Sequence, residues 1–141
     1  MKEIDYHYSI PVQIRWKDWD RFCHINNATY FEFFDTGKIN SFEMVCPQVD
    51  WSRCAVMMVH DETDFVSQIK EFNNSSVRTA VVHIGHKSIT LCQEIYNHRK
   101  QEVKARCLSV MVYFNSITQT SEPVPESWVE AIRSFEGDNL Q

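Results

Sequence analysis

Two acids, Asp18 and Asp20, stand two residues apart and are followed by His24 and then by the pair Asn26 and Asn27. A carboxylate can take a proton from water or attack an electrophilic carbon, and a nearby histidine can orient either partner. Asn26 and Asn27 are helix-capping residues, because their side chains accept hydrogen bonds from the first free backbone N–H groups of a helix. Those same N–H groups can hold negative charge as it develops on a reacting oxygen. Acid–base or nucleophilic chemistry at the mouth of a helix is what these types in this order can do. A plainer reading stands beside it: a loop acid can simply fix a turn, and an asparagine can simply cap.

The flanking elements must position this loop. Tyr8, Ile10, Val12, Ile14 and Trp16 alternate with polar neighbours, which predicts a half-buried strand ending at Trp16. Pro11 has no N–H to give a ladder, so it belongs at an edge or an unpaired position. Ala28 to Val45 reads as the one long helix. Tyr30, Phe31, Phe34, Phe42 and Val45 form its apolar face, Gly37 marks a close approach of another backbone, and Pro47 ends it.

Ala55 to Val59 is a continuous apolar run, which predicts a strand buried on both faces, continuing irregularly through Phe72. Asn73 to Ser76 reads as a turn. Val77 to Gly85 and Ile89 to Tyr96 follow as strands, with His86, Lys87 and Ser88 between them. Asn97 to Gln101 is a hairpin turn, Val103 to Phe114 the longest strand, and Ser121 to Pro125 the end of the sheet. Glu126 to Phe135 forms a short helix, and the tail from Glu136 is expected to be loose. One strand, a long helix, about four strands on short turns and a short helix make an α+β fold with an antiparallel sheet, as one domain over residues 1–141.

Composition narrows the classes. With 43% hydrophobic and 13% aromatic residues the chain is globular. A net charge of -5 argues against a nucleic-acid partner, though not against an anionic ligand on a local basic patch. The five cysteines, Cys23, Cys46, Cys54, Cys92 and Cys107, are odd in number and lack a C-x-x-C pair, which suits reduced thiols in a cytoplasmic protein. The N-terminus has no apolar leader segment, and no apolar run reaches membrane-spanning length. The histidines and cysteines show no metal spacing, and His83 and His86 do not make a zinc pattern. Neither a metal nor a redox cofactor is expected.

The run from Arg15 to Asp35 resembles the signature of hotdog-fold acyl-CoA thioesterases of the 4-hydroxybenzoyl-CoA thioesterase-like family. The shared pattern is an aromatic strand end, the D-x-D of Asp18 and Asp20, a short loop, an H-[VI]-N-N element at His24 to Asn27, and an aromatic helix. Length, element order, the segment Gly85 to Ser88 and the Val124 to Trp128 ending also fit. The resemblance implies a long helix wrapped by a curved antiparallel sheet of about five strands. It also implies a homodimer or homotetramer whose active sites lie at the subunit interface.

By the same resemblance Asp20 is the catalytic carboxylate, acting as nucleophile or general base. The backbone N–H of Asn27 is the oxyanion donor, His24 orients Asp20 or the water, and Asp18 holds the loop. His86, Lys87 and Ser88 contact the phosphates and pantetheine of coenzyme A, while Arg99, Lys100, Lys104 and Arg106 read as a solvated face. The substrate is an acyl-CoA or an acyl-carrier-protein thioester, and coenzyme A enters only as part of it. The family usually has glycine where this chain has Cys23. The rivals are a hotdog hydratase or dehydratase, whose His follows its Asp in a different motif, and a non-catalytic binder of acyl thioesters.

Overall fold

The computed structural model describes residues 2–141. Its frame is one antiparallel sheet. Strand β1 (Tyr8–Pro11) is followed by helix α1 (Asn27–Val45), then by β2 (Cys54–Phe65), β3 (Ser75–Ile84), β4 (Ser88–Asn97), β5 (Glu102–Asn115), the two-residue β6 (Thr120–Ser121) and helix α2 (Glu126–Glu136). The order across the sheet is β1-β3-β4-β5-β2, with β6 paired to the end of β5. Short turns join β3, β4 and β5, so each pairs with its neighbour in sequence. The crossover through α1 places β1 and β2 at opposite edges. Pro11 sits on the β1 edge, where its missing N–H costs no ladder bond.

Alternation along each strand decides where the core forms. On β4, Ile89, Leu91 and Ile95 point under α1 and are fully buried, whereas Glu94 and Tyr96 face the other side. At the start of α1, Tyr30, Phe33 and Phe34 pack with Ile14, Ile25, Ile69, Val77, Ile95 and Ala105. At its end, Phe42 and Cys46 meet Val81, Leu91, Met111 and α2's Trp128 and Ile132. The rings of Phe42 and Trp128 stack at 5.7 Å. Gly37 is tight as expected, but against side chains: a Cβ there would lie 3.0 Å from Gln93 Nε2 and from both Val77 methyls.

The structure corrects five expectations. The first strand stops at Pro11 and Trp16–Asp18 is a 3-10 turn, because Asp18 draws the chain back onto Arg15. Phe31 is 38% exposed and Phe33 takes its place in the core. The Ala55–Val59 run is not buried on both faces. It opens a twelve-residue edge strand on which Met57 and Val59 are 48% and 63% exposed. Lys104 is not a solvated side chain but is buried and bonded to Glu102 at 2.6 Å. The C-terminal tail is not loose: Asn139 is buried, Asn139 Nδ2 donates to Asp5 O at 2.7 Å, and Gln141 N donates to Val82 O at 2.8 Å.

Glu136 anchors that tail and carries a consequence for pH. Burial pushes its carboxyl up to about 7, although the Val81 N–H, Asn139 and His7 pull the other way. An unfolded glutamate ionises near the ordinary value of about 4.3. Between these values the unfolded chain gives up a proton that the folded chain keeps, so stability falls as pH rises through the window. The fall should reach about 4 kcal/mol at most by pH 8. In Glu136→Gln, denaturation midpoints measured from pH 5 to 8 should lose most of this slope.

Candidate active site

The loop between Arg15 and α1 is built by two acids in different ways. Asp18 is buried. Burial alone would raise its carboxyl, but the Arg15 backbone N–H at 2.8 Å and the Arg15 guanidinium hold it below the usual carboxylate range. Arg15 also reaches Glu32 on α1 at 3.1 Å, tying the loop to the helix. Asp18 O accepts from Asn26 N at 3.2 Å. Asp18 therefore has the positional role expected of it.

Asp20 sits half-buried at the next corner. Its backbone N–H donates to His24 O at 2.7 Å, and Trp19 bridges Ile25, so the segment closes into a tight hairpin. Asp20 Oδ1 accepts from the N–H groups of Phe22 and His24 at 2.8 and 3.0 Å. These bonds fix the carboxylate plane. Among the described residues Oδ2 has no partner, which leaves one oxygen of a positioned carboxylate free for outside chemistry.

Cys23 lies in this turn at φ 63°, in the left-handed region that favours glycine. Glycine would sit there without strain. Cys23→Gly should raise stability by about 0.5–1 kcal/mol in denaturant unfolding, with no change in m-value.

Helix α1 starts one residue earlier than expected. Asn26 alone is the cap, its side chain accepting from Ala28 N at 2.9 Å. Asn27 is the first helical residue, and its N–H has no acceptor among the described residues. That N–H lies at the positive end of a nineteen-residue helix.

The imidazole of His24 does not orient Asp20. It turns to Gln68, with Nε2 3.1 Å from the Gln68 amide nitrogen, so the amide donates and Nε2 accepts. Only the His24 backbone serves Asp20. Gln68 was not singled out from the sequence because it lies in the return after β2, which read as irregular. Val66 and Ser67 both donate to Lys104 O at that return, and this brings Gln68 to the loop. A pocket of about 300 Å³ opens here, lined by His24, Ile25, Asn27, Tyr30, Phe65, Val66, Ser67 and Gln68. Asp20 stands beside it and is not part of its wall.

His86, Lys87 and Ser88 lie elsewhere. They form the β3–β4 turn, where Lys87 is exposed and the carbonyls of His86 and Lys87 accept from Val124 and Tyr113. Asp20 lies at the Phe65 end of β2, whereas Ser88 is level with Met57 through Val112, near the other end. One chain therefore does not bring the two groups together.

A larger concavity, about 610 Å³, occupies the opposite face of the sheet. Within it Glu94 lies 3.6 Å from Arg78 and 3.5 Å from Arg106. Among the described residues no group of three or more His, Cys, Asp or Glu side chains could hold a metal ion. No helix of the described residues is long and apolar enough to cross a membrane.

Residues 14–132 match the Thioesterase-like superfamily. A thioesterase from Thermus thermophilus, solved with coenzyme A and zinc, is 24% identical and aligns over 94% of this chain and 96% of its own, with a TM-score of 0.78. A predicted thioesterase from Bacillus stearothermophilus is 27% identical over 91% of this chain and 95% of its own, with a TM-score of 0.76. A Staphylococcus aureus protein in complex with coenzyme A is 14% identical but superposes at a TM-score of 0.83 over 100% of this chain and 90% of its own. An uncharacterized Bacillus subtilis protein, YsmA, is 22% identical over 80 residues, which span 57% of this chain and about half, 54%, of that relative.

Proposed function

The chain belongs to the Thioesterase-like superfamily and has its hotdog fold, and on that premise we propose that it hydrolyses an acyl-CoA thioester to a free acid and coenzyme A. The observation that carries this reading is the free Oδ2 of a carboxylate locked by two backbone N–H groups, a few residues before a helix whose first N–H is unpaired. In the general-base route Asp20 removes a proton from water as its oxygen attacks the thioester carbon. The carbonyl oxygen takes up the charge and is held by Asn27 N–H. The carbon–sulfur bond then breaks, and the departing thiolate of coenzyme A takes up a proton. In the nucleophilic route Asp20 attacks the carbon itself, the carbon–sulfur bond breaks and the departing coenzyme A thiolate takes up a proton, and water then hydrolyses the mixed anhydride to the free acid and the Asp20 carboxylate. Both use the same two groups and neither requires a metal or redox cofactor.

We place His86, Lys87 and Ser88 at the pantetheine and phosphate end of the substrate bound to the partner subunit. Edge strand β2 has a free side, and two copies paired antiparallel through it would set each β3–β4 turn at the Asp20 end of the other. A carrier-protein thioester presents the same pantetheine arm and is the second substrate class. Release of coenzyme A from short, long, branched and aromatic acyl-CoAs, followed by chromatography so that the protein's own thiols do not interfere, is the test. Turnover of at least one of them supports hydrolysis. Turnover of none, with carrier-protein thioesters also intact, overturns it in favour of binding alone.

A further inference from the structure

We propose that the loop carrying Asp20 docks on an anionic lipid surface, with Trp16, Phe22 and Phe72 entering the interface and Lys17, Arg21 and Lys70 meeting the lipid headgroups.

The three rings come from two segments that are fastened together. Trp16 opens the 3-10 turn before Asp20, and Phe22 stands at the tip of the hairpin that the Trp19–Ile25 bridge closes. Phe72 lies on the return from β2 to β3. Its ring meets those of Trp16 and Trp19 edge-on, each at 5.3 Å. Four residues earlier, Gln68 is bonded to His24 of the hairpin. The return is therefore held against the Asp20 loop at both ends of the stretch from 68 to 72.

These rings face water. Trp16 is 83% exposed, Phe22 71% and Phe72 39%. Trp19, in the same loop, packs against the core, so the fold buries an aromatic here where it uses one. Large apolar side chains gathered on a surface mark an interaction site. Tryptophan in particular is favoured where an apolar medium meets water.

The charges around the rings are of one sign and unspent. Lys17 adjoins Trp16, Arg21 adjoins Phe22, and Lys70 lies two residues before Phe72; all three are exposed. Among the described residues none of the three has an acid within ion-pair distance. The acids nearby are engaged. Asp18 and Glu32 hold Arg15, Glu71 holds Asn97 and Arg99, and Asp20 holds its own turn through one oxygen. The chain as a whole carries -5, so three free cations among three exposed rings set this patch apart. Apolar rings edged by cations complement a surface that is anionic outside and apolar within.

An acidic carrier protein would also answer the charge, but its geometry is wrong. A carrier protein presents its acyl group at the end of a long pantetheine arm, so its docking surface must stand an arm's length from the reacting carbon. This patch has no such gap, because the Phe22 N–H itself bonds to the Asp20 carboxylate at 2.8 Å. An acyl thioester resting in a lipid surface keeps its chain in the lipid and its thioester near the interface. That puts the thioester within reach of a loop seated there, a delivery route that rests on the thioesterase reading.

The test is sedimentation of the full chain with vesicles of phosphatidylcholine alone and of phosphatidylcholine with about a third of phosphatidylserine. Wild type should partition onto the anionic vesicles at least about tenfold better than onto the neutral ones, and less so as salt rises. Trp16→Ser with Phe22→Ser should lower that partitioning by about tenfold or more, and so should Lys17→Glu with Arg21→Glu. All four side chains are exposed, so thermal midpoints should show both variants folded. Wild type that stays in solution, binds both vesicles alike, or binds no better than the variants overturns the proposal. So does binding of an acidic acyl carrier protein in place of the vesicles, lost in the same variants, which assigns the patch to a protein partner. No substrate is present in this measurement. A failure of docking therefore leaves hydrolysis standing, and a failure of hydrolysis leaves the docking surface standing.

Discussion

Asp20→Asn should lower acyl-CoA hydrolysis by roughly a hundredfold to ten-thousandfold while leaving stability nearly unchanged. The substitution is well matched to the site. Asparagine keeps an oxygen that can accept from Phe22 N and His24 N, so the turn retains its two bonds. What it removes is the charge and the basicity of the free oxygen. Two control variants separate chemistry from architecture. Asp18→Asn weakens the pair between buried Asp18 and exposed Arg15, so its main effect should fall on stability. His24→Ala should cost far less activity than Asp20→Asn, because its ring faces Gln68 and only its backbone serves Asp20. Release of coenzyme A at saturating substrate gives the comparison. A rate for Asp20→Asn within about twofold of wild type would remove Asp20 from the reaction.

The sequence carried the fold well where local rules and packing agree. Strands β3, β4 and β5 are joined by short polar turns, and their ends fall within a few residues of expectation. It failed where a distant partner decides. The apolar run at Met57 to Val59 looks buried from composition alone, yet its place at the sheet edge follows from the crossover through α1. Phe31 and Phe33 both fit a helical face within its tolerance, and only the packing against Ile14 and Ile69 selects Phe33. The loop acids were legible because capping and turn chemistry are local. Gln68 was not, since its link to His24 spans 44 residues and depends on Val66 and Ser67 docking onto Lys104. Ser109 and Gln93 looked like ordinary strand residues, and only cross-strand register sets them on neighbouring strands of the face beneath α1.

The second large effect concerns the free edge. Strand β2 presents twelve residues, with exposed Met57, Met58, Val59 and Phe65, and no Asp, Glu, Lys or Arg interrupts it before Asp61. An edge of this kind invites pairing, and a twofold arrangement satisfies it without open-ended growth. The double variant Met57→Lys, Val59→Lys places four extra positive charges around the axis of such a pair. Sedimentation should show wild type as a dimer or larger and the variant as a monomer. Both side chains are substantially exposed, so unfolding midpoints should move by less than about 1 kcal/mol. If the coenzyme A end of each site comes from the partner's His86 to Ser88 turn, the monomer should lose at least about tenfold in kcat/KM. That loss should appear mostly in KM, because Asp20 and Asn27 stay on one chain while the phosphate contacts leave. A monomer with full activity would put the whole site within one chain, and Lys87 would then be an ordinary surface lysine. A wild type that is already monomeric would leave β2 as an edge kept from pairing by its bulge between Met58 and His60.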